Sequence, residues 1–358
     1  MGSVTYRLQF RRYRLPFRSP VRTAHGPWAE REGVLVRLVN AAGSAGYGEA
    51  APIPWFGSET VDEIEAACRE LGEKVEDARL DSLPARLACL KNALVAARED
   101  DPKLVARQPH LGVAALLPAG KAALAQIGPK AEAGFRVFKW KVGVGDVADE
   151  LSLLDDVCAA LPDGARLRLD ANGAWDRRQA EGWLERCADR PVEFVEQPIF
   201  SSSPSFAKGS ESVASRKADD LLLGLANDFP TPLALDESLN GEGEVERWLG
   251  LGWRGVFVIK PALLADVAGT LARLEKAKAA VVFSSALETR LGARAALRAA
   301  FAWRGEVDST GSPHARALGF GVWPLFVDGR FDGPYSGPFL QAEDVERINP
   351  EAVWNALS

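Results

Sequence analysis

The stretch that decides the fold is a series of short apolar strands that each end in charged residues: FRVFKWKV (135–142), ARLRLDAN (165–172), VEFVEQPI (192–199) and PLALDES (232–238). The pattern continues in GVFVIKPAL (255–263) and AVVFSSALE (280–288), and weaker apolar runs flank it in GVAALL (112–117) and ALGFG (317–321). Helical periodicity occupies the intervals at 147–161, 176–188, 242–250, 266–277 and 290–304. Eight strands that alternate with helices predict a parallel (β/α)8 TIM barrel of the α/β class over residues 109–321.

The residues before the barrel predict a separate α+β unit. Strand-like alternation covers 6–15, 33–40 and 47–50, and helical periodicity covers 60–75 and 82–99, with Ser58 or Thr60 as the N-cap. A barrel takes about 250 residues, so the 358-residue chain has room for both units. We expect a capping domain at 1–108, completed by the Gly- and Pro-rich segment 322–358. The Ser-rich stretch 200–218 predicts a long surface loop on the mouth side of the barrel.

Composition excludes several classes of function. The formal net charge is −6 with no long basic run, so we expect no nucleic-acid partner, because such binding usually shows as a clustered basic face. No apolar run reaches the roughly 20 residues of a membrane span, and the N-terminus has no apolar signal core. We therefore expect no membrane partner and a cytoplasmic location, and a homo-oligomer is compatible with the composition. The four cysteines form no CxxC pair and predict reduced side chains.

Polar side chains stand at the ends of five consecutive predicted strands. Because alternate strand residues point to the same face, Lys139 and Lys141 share one face, and so do Asp170 and Asn172. A charge directly after an apolar run is costly unless it is paired or ligated. A single charged residue at a strand end often caps a loop or forms a surface salt bridge. Such a structural role does not explain charged residues at five successive strand ends. The other strand ends carry Glu196, Asp236 and Lys260.

The chemistry of this set predicts a Mg²⁺-dependent enzyme that removes a proton next to a carboxylate. Asp170, Glu196 and Asp236 would supply the hard oxygen ligands that Mg²⁺ prefers, and Mn²⁺ would be a substitute. The lysines on strands two and six lie four apart in a ring of eight, so they would flank a small-molecule carboxylate substrate. The metal would stabilise the enediolate that forms when the α-proton leaves. A lysine near the metal and a second ammonium should have a lowered pKa and act as a base.

The motifs that carry these residues resemble those of a known superfamily. FKWKVG, LRLDANGAW, EFVEQPI, LALDES and VIKPALL are similar to the strand-end motifs of the enolase superfamily, in its muconate-lactonizing-enzyme-like branch. The resemblance covers nearly the whole chain and implies a mobile capping loop, for which 19–28 is the candidate. Within the branch, LPFRSPVRTAHGPWAEREGVLVR (15–37) and FSSALET (283–289) resemble the o-succinylbenzoate synthase family of hydro-lyases in menaquinone and phylloquinone biosynthesis.

That resemblance implies a reaction and a role for each residue. The reaction is the syn dehydration of 2-succinyl-6-hydroxy-2,4-cyclohexadiene-1-carboxylate to 2-succinylbenzoate. Lys141 would take the α-proton and return it to the departing hydroxyl, while Lys260 would stabilise the enediolate from the opposite face. Lys139 would maintain the charge balance, and Asn172 would support the site beside the metal. The implied Mg²⁺ ligands are Asp170, Glu196 and Asp236.

Three further positions are open to two interpretations each. Arg168 shares the face of Asp170, so it either reaches into the site or forms an ion pair inside the barrel. Ser284 and Ser285 either hydrogen-bond the succinyl group or make room for it as small residues. No histidine falls at a strand end, so a histidine base is not expected.

Related reactions remain as alternatives. An N-succinylamino acid racemase or a dipeptide epimerase would use the same three acids and both lysines as a two-base pair. Dipeptide epimerases of this branch usually carry an Asp-x-Asp pair on strand eight, and HARALGFG (314–321) has none. Muconate cycloisomerisation is a third option. A non-catalytic barrel would be expected to have lost one of the lysines or acids, and all of them are present.

Overall fold

The computed structural model describes residues 4–23, 26–98, 104, 106–200, 213–307, 313–334 and 337–357. Its strands are β1 (Thr5–Thr23), β2 (Gly26–Val39), β3 (Ala45–Ala50), β4 (Lys74–Glu76), β5 (His110–Gly112), β6 (Ala115–Leu117), β7 (Val137–Lys141), β8 (Arg166–Asp170), β9 (Val192–Glu196), β10 (Leu233–Leu235), β11 (Val256–Ile259), β12 (Ala280–Phe283), β13 (Glu306–Val307), β14 (Pro313–His314) and β15 (Phe339–Gln341). Its helices are α1 (Val61–Leu71), α2 (Asp77–Asp81), α3 (Ala88–Arg98), α4 (Leu124–Glu132), α5 (Val147–Ala160), α6 (Arg177–Cys187), α7 (Val213–Asp228), α8 (Glu242–Gly250), α9 (Val267–Lys276), α10 (Arg290–Ala302), α11 (Ala342–Glu346) and α12 (Pro350–Asn355).

The N-terminal residues form an antiparallel sheet in the order β3-β2-β1-β4, with helices packed against it. The predicted N-cap Thr60 is confirmed, because its side chain and that of Glu63 form a reciprocal capping box at the start of α1. The predicted helix 60–75 is too long, since α1 ends before Gly72, whose φ of 78° breaks the helix. The predicted helix 82–99 begins only at residue 88, because Pro84 disfavours helical geometry in the residue before it.

The segment predicted as a capping loop, 19–28, is mostly strand. β1 continues to Thr23, β2 begins at Gly26, and these two residues are paired in the antiparallel register. The register shifts between Pro16 and Val21, where prolines interrupt the ladder because they have no N–H to donate. Residues 24 and 25 lie outside the described residues, as do residues 201–212 of the Ser-rich stretch. The loop predicted over 200–218 is too long, because α7 begins at Val213.

The barrel is a parallel sheet in the order β6 to β12, closed by the segment 317–321. This predicted eighth strand makes single parallel bridges on both sides, Val113 to Leu318 and Ser284 to Gly319. A side chain at Gly319 would place its Cβ 2.6 Å from the Ser284 hydroxyl, so the close approach of the backbones needs a glycine here. The fold is therefore the predicted α/β barrel with an N-terminal antiparallel sheet.

Alternation of side chains along the strands divides the core into layers. The outward residues of the strands pack with the barrel helices in the largest apolar cluster. Inside the barrel, a second apolar layer consists of Phe194, Ala234, Val256, Val258 and Val282. The charged strand ends therefore lie above a layer of buried apolar side chains.

The C-terminal segment returns to the N-terminal part of the chain. β15 pairs with β5, and Phe326 forms an antiparallel bridge to Phe17 of β1. The Arg11 guanidinium donates to the Trp354 carbonyl and lies 4.3 Å from the Trp354 ring centroid. The domain boundaries at 108 and 321 stay a prediction. None of the helices in the described ranges combines the length and apolarity that crossing a membrane requires.

Candidate active site

The charged residues predicted at strand ends all lie at the C-terminal rim of the barrel. Lys141, Asp170 and Glu196 are the last residues of β7, β8 and β9. Asp236 directly follows β10, and Lys260 directly follows β11. Because the strands are parallel and adjacent in this order, the rim presents lysine, acid, acid, acid and lysine in sequence.

Lys139 links the first two acids of the rim. Its Nζ lies 3.0 Å from Asp170 Oδ2 and 2.7 Å from Glu196 Oε1. Burial alone would lower the pKa of Lys139, but the two carboxylates outweigh it and raise that pKa above the ordinary lysine value. Burial raises the pKa of Asp170, and Lys139 with Lys141 lowers it by more, so the net shift is downward. Lys139 is thus held as an ammonium.

Lys260 closes the opposite side of the rim. Its ammonium contacts the Asp236 carboxylate and lies 4.6 Å from the centroid of the Phe56 ring. Phe56 belongs to a short 3-10 helix of the N-terminal unit (Pro54–Phe56), so this unit reaches over the rim. Burial lowers the pKa of Lys260 to about 7, which puts its titration in the neutral range. Nothing in the sequence pattern pointed to Phe56.

Asn172 supports the rim from behind Asp170. Its Nδ2 donates to Glu237 Oε1 at 2.9 Å, and its backbone N–H donates to Asp170 Oδ1 at 3.2 Å. Its φ of 45° is left-handed, a conformation that asparagine tolerates better than most residues. Burial, with repulsion from Asp170, raises the pKa of Glu237 to about 7. Glu237 was not predicted as a site residue, although it follows Asp236 directly.

Gln197 is a third residue, after Phe56 and Glu237, that the sequence pattern did not predict. It is fully buried, and its Oε1 accepts from the backbone N–H groups of Asp236 (2.9 Å) and Ser238 (3.1 Å). Its Nε2 donates to the Ile199 carbonyl (2.9 Å) and to the Ser238 hydroxyl (2.8 Å). The amide therefore fixes the end of β10, where Asp236 stands, to the end of β9. A glutamine beside a strand-end acid gives no pattern from which this could be inferred.

The structure separates the two interpretations of Arg168. Its guanidinium donates to Glu193 Oε2 at 2.7 Å and to the Ala317 carbonyl at 2.8 Å, and its side chain is 1% exposed. It also lies 4.8 Å from the Phe194 ring centroid. These contacts are those of an ion pair inside the barrel, below the rim. None of them directs the Arg168 guanidinium to the rim, so they favour the ion-pair interpretation over substrate binding.

The two serines after β12 differ in their contacts. The Ser285 hydroxyl donates to Glu288 Oε2 (2.9 Å) and accepts from the Leu287 N–H (2.8 Å), so it holds its own loop together. The Ser284 hydroxyl makes a long contact of 3.4 Å with the Gly319 carbonyl. Ser284 is therefore the better placed of the two to turn toward a substrate.

The loop after β12 is tied to the N-terminal unit by a buried glutamate. Glu49 accepts from Tyr13 Oη (2.6 Å), from the Thr289 N–H (2.9 Å) and hydroxyl, and from the Gly292 N–H (2.8 Å). Thr289 and Gly292 lie at the N-terminus of α10, where a negative charge is favoured by the helix dipole. The buried Arg31 adds a bond from its Nε to the Leu287 carbonyl at 3.1 Å.

The chemistry of the rim suits a hard divalent cation. Carboxylate oxygens are the ligands that Mg²⁺ prefers, and Asp170 and Glu196 already share one cationic partner, the Lys139 ammonium. Asp236 is turned to Lys260 instead. In the described part of the chain, no three Asp, Glu, His or Cys side chains are arranged to hold a metal ion. The donor types of Asp170, Glu196 and Asp236 fit Mg²⁺, and each of the three carboxylates has a lysine ammonium as its partner in this structure.

Comparison with known proteins gives the class of the chain. Residues 122–334 match the family model described as enolase C-terminal domain-like, and residues 5–91 match the model described as MenC, N-terminal domain. The L-Ala-D/L-Glu epimerase of Bacillus subtilis, solved as a substrate-liganded complex, shares the fold, with a TM-score of 0.76 over 95% of this chain and 96% of its own at 21% identity. The fold and the rim thus define a member of the enolase superfamily.

Closer relatives share one name. An o-succinylbenzoate synthase of Thermosynechococcus vestitus is 37% identical over 88% of this chain and 92% of its own length. The crystal structure of o-succinylbenzoate synthase from Thermosynechococcus elongatus BP-1, complexed with Mg in the active site, has a TM-score of 0.77 at 34% identity and covers 98% of this chain and 99% of its own. An o-succinylbenzoate synthase of Edwardsiella ictaluri is 29% identical over 78% of this chain and 82% of its own length. The chain belongs to the o-succinylbenzoate synthase family and is an enzyme of the lyase class.

Proposed function

We infer that this chain catalyses the Mg²⁺-dependent syn dehydration of 2-succinyl-6-hydroxy-2,4-cyclohexadiene-1-carboxylate to 2-succinylbenzoate, a step of menaquinone or phylloquinone biosynthesis. The observation that carries this inference is the rim itself, where Lys141 at the end of β7 and Lys260 after β11 flank the acids of three intervening strands. Family membership supports it, because the two relatives described above that are more than 30% identical to this chain carry the synthase name.

Three acids would hold the metal, namely Asp170, Glu196 and Asp236. Mg²⁺, with Mn²⁺ as a substitute, would when bound stabilise the negative charge that develops on the substrate carboxylate. Asn172 and Gln197 support this role, since they fix the backbone or side chains of Asp170 and Asp236 by hydrogen bonds. Partners of this kind orient ligands and raise metal affinity.

Lys141 is the proposed base. Lys139 is held as an ammonium by Asp170 and Glu196, so it cannot accept a proton, and Lys141 is the other amine of β7. The Lys141 amine takes the α-proton, and the electron pair of the C–H bond moves onto the carboxylate to give the enediolate. That pair then returns to form the ring double bond as the C–O bond breaks. The resulting Lys141 ammonium gives its proton to the departing hydroxyl, which leaves as water. Both transfers occur on one face, which makes the elimination syn.

Lys260 is the proposed electrostatic partner on the other face. Its side chain is 11% exposed, so an ammonium there acts in a poorly solvated environment, where charge stabilisation is stronger than in water. Phe56, whose ring lies beside the Lys260 ammonium, restricts the access of water from the side of the N-terminal unit. The aromatic product makes the reaction downhill, so a single acid–base lysine is sufficient.

The test is an assay of the purified chain with the cyclohexadiene substrate, run beside N-succinyl amino acids and a dipeptide. We expect dehydration that is lost in EDTA and restored by Mg²⁺. Lys141→Ala should reduce kcat by about 10²- to 10⁴-fold, the usual contribution of a general base, while Lys121→Ala, which removes an exposed lysine, should not change it. Turnover of the amino acids alone would favour the racemase and overturn the synthase proposal. A cytoplasmic location and homo-oligomerisation stay predictions.

A further inference from the structure

A second cavity lies at the opposite end of the barrel from the rim. It has a volume of about 690 Å³, and its wall includes the first residues of β7, β8 and β9 together with Pro232 and residues 315–317. These are the N-terminal ends of the strands, so we call this cavity the floor cavity. In barrel enzymes the chemistry lies at the other end, and the proposed reaction assigns no role to this one.

The alternation of side chains along β8 explains why an arginine lines the floor cavity. Arg166, Arg168 and Asp170 alternate along β8 and share its inward face. Asp170 therefore reaches the rim, Arg168 lies in the interior, and Arg166 comes out at the floor. Arg136, which precedes β7, and Arg316, which precedes the closing segment, stand at the same level and line the same cavity.

One carboxylate, Glu193, faces these arginines. The pairing of β8 with β9 moves from Leu167–Val192 to Arg168–Phe194, so Glu193 is an extra, bulged residue. A bulge redirects a side chain, and here Glu193 accepts from both Arg168 (2.7 Å) and Arg316 (2.7 Å). Its negative charge is thus shared between two guanidinium groups.

The remaining charge balance at the floor is positive. Among the described lining residues, the three arginines Arg136, Arg166 and Arg316 outnumber the one carboxylate, Glu193, which the interior Arg168 also contacts. The Arg136 guanidinium also donates to the carbonyls of Ala131 (3.0 Å) and Phe135 (2.8 Å). The Nε2 of Gln108, another lining residue, is buried and has no hydrogen-bond partner among the described residues. A buried amide donor without an acceptor is costly.

Apolar side chains complete the wall, among them Val137, Val192, Pro232 and Phe339. A cavity of this volume is much larger than an inorganic ion needs, and it falls in the range of small-molecule sites. Guanidinium groups bind carboxylates in a bidentate manner. We propose that the floor cavity binds a small organic dianion, with its carboxylates on the arginines and its hydrocarbon part against the apolar wall.

Such a ligand would connect the closing segment 317–321, the least regular part of the barrel, to the strands on the other side of the floor. The closing segment 317–321 is attached by isolated bridges, and Arg316 lies directly before it. Arg136 and Arg166 belong to the start of β7 and β8, across the floor. An anion bound between these groups connects both sides of the seam, so its binding should stabilise the folded barrel.

The experiment is thermal unfolding of the full chain with phthalate, succinate or inorganic phosphate as the probe. At about a hundredfold excess over Kd, phthalate should raise the unfolding midpoint of the wild type by about 4 °C. Arg166→Gln and, separately, Arg136→Gln should lose most of this rise. Arg254→Gln is the matched control, because it removes an exposed arginine just before β11, at the same end of the barrel but outside the cavity wall.

The variants differ only at the floor, so binding of the probe at the rim contributes equally to all of them. If Arg166→Gln and Arg136→Gln keep the rise that Arg254→Gln shows, the floor site is refuted. Absence of any rise in the wild type refutes it as well. A rise with phosphate as large as that with phthalate contradicts the assignment of an organic ligand. Dehydratase activity of Arg166→Gln should equal that of Arg254→Gln.

Discussion

Replacement of Gln197 by leucine should weaken both the folded barrel and its affinity for Mg²⁺. Leucine fills a similar volume but accepts no hydrogen bond, so the buried N–H groups of Asp236 and Ser238 lose their acceptor. Each such group costs about 1–3 kcal/mol, so the two together give about 2–6 kcal/mol. That loss is a large fraction of the 5–15 kcal/mol typical of a folded domain.

The effect on the metal follows from the same contacts. Gln197 fixes the backbone at Asp236, one of the proposed Mg²⁺ ligands, and loss of a partner that orients a ligand typically reduces metal affinity by about 10- to 100-fold. Urea denaturation followed by tryptophan fluorescence measures the stability. Titration of dehydratase activity with Mg²⁺ measures the apparent metal affinity.

Two variants make this prediction specific. Gln126→Leu alters an exposed glutamine of α4 and should change stability by less than about 0.5 kcal/mol. Gln197→Glu keeps an acceptor for both N–H groups but loses the Nε2 donor, so it should fall between wild type and Gln197→Leu in stability. If Gln197→Leu loses less than about 1 kcal/mol and keeps the Mg²⁺ dependence of the wild type, the positioning role is wrong.

Three further outcomes are expected. Glu49→Gln places an amide N–H against the Gly292 N–H and removes a charge from the start of α10, which should cost about 2–4 kcal/mol in urea, whereas Glu32→Gln at the surface should cost about 0–1 kcal/mol. Burial, with repulsion from Glu49, raises the pKa of Glu288 from 4.5 to about 7, so the native state keeps a proton that the unfolded chain loses. The protonated Glu288 contributes about 3 kcal/mol to the free energy of unfolding, fully below the pKa of the unfolded chain, and this is lost as the pH rises through about 7. Glu288→Gln should therefore flatten the pH dependence of the urea midpoint. Lys260→Ala should reduce kcat about as much as removal of an oxyanion-hole donor, about 10²- to 10³-fold.

The sequence predicts the barrel well because its signal is local. An apolar run followed by a charge, as in residues 232–236, indicates both a buried strand and the end at which it leaves the core. The same alternation placed Lys139, Asp170 and Glu196 on the inward face, and the structure has them in contact. The eighth strand is weak in the sequence and irregular in the structure, where Gly319 allows a close approach that periodicity does not record.

Long-range contacts account for what the sequence did not provide. Phe56 comes within 4.6 Å of the Lys260 Nζ from a separate unit of the chain, and Glu49 binds a helix that begins 241 residues later. The bulge at Glu193 turns this carboxylate toward Arg168, which therefore forms an interior ion pair. The alternation of side chains along β8 alone does not predict this contact. Each of these depends on which elements the fold brings together.

An apolar layer, with the buried Arg168 beside it, lies between the two charged ends of the barrel. This bears on how far a change at one end affects the other. Along β8 the inward residues carry charge at the floor, in the interior and at the rim. Between floor and rim stands the apolar layer that contains Phe194 and Val258, which leaves no chain of hydrogen bonds through those side chains. A ligand at the floor is therefore expected to stabilise the seam without a direct contact to the rim. For this reason the expected readout at the floor is thermal stability, while kcat reports on the rim.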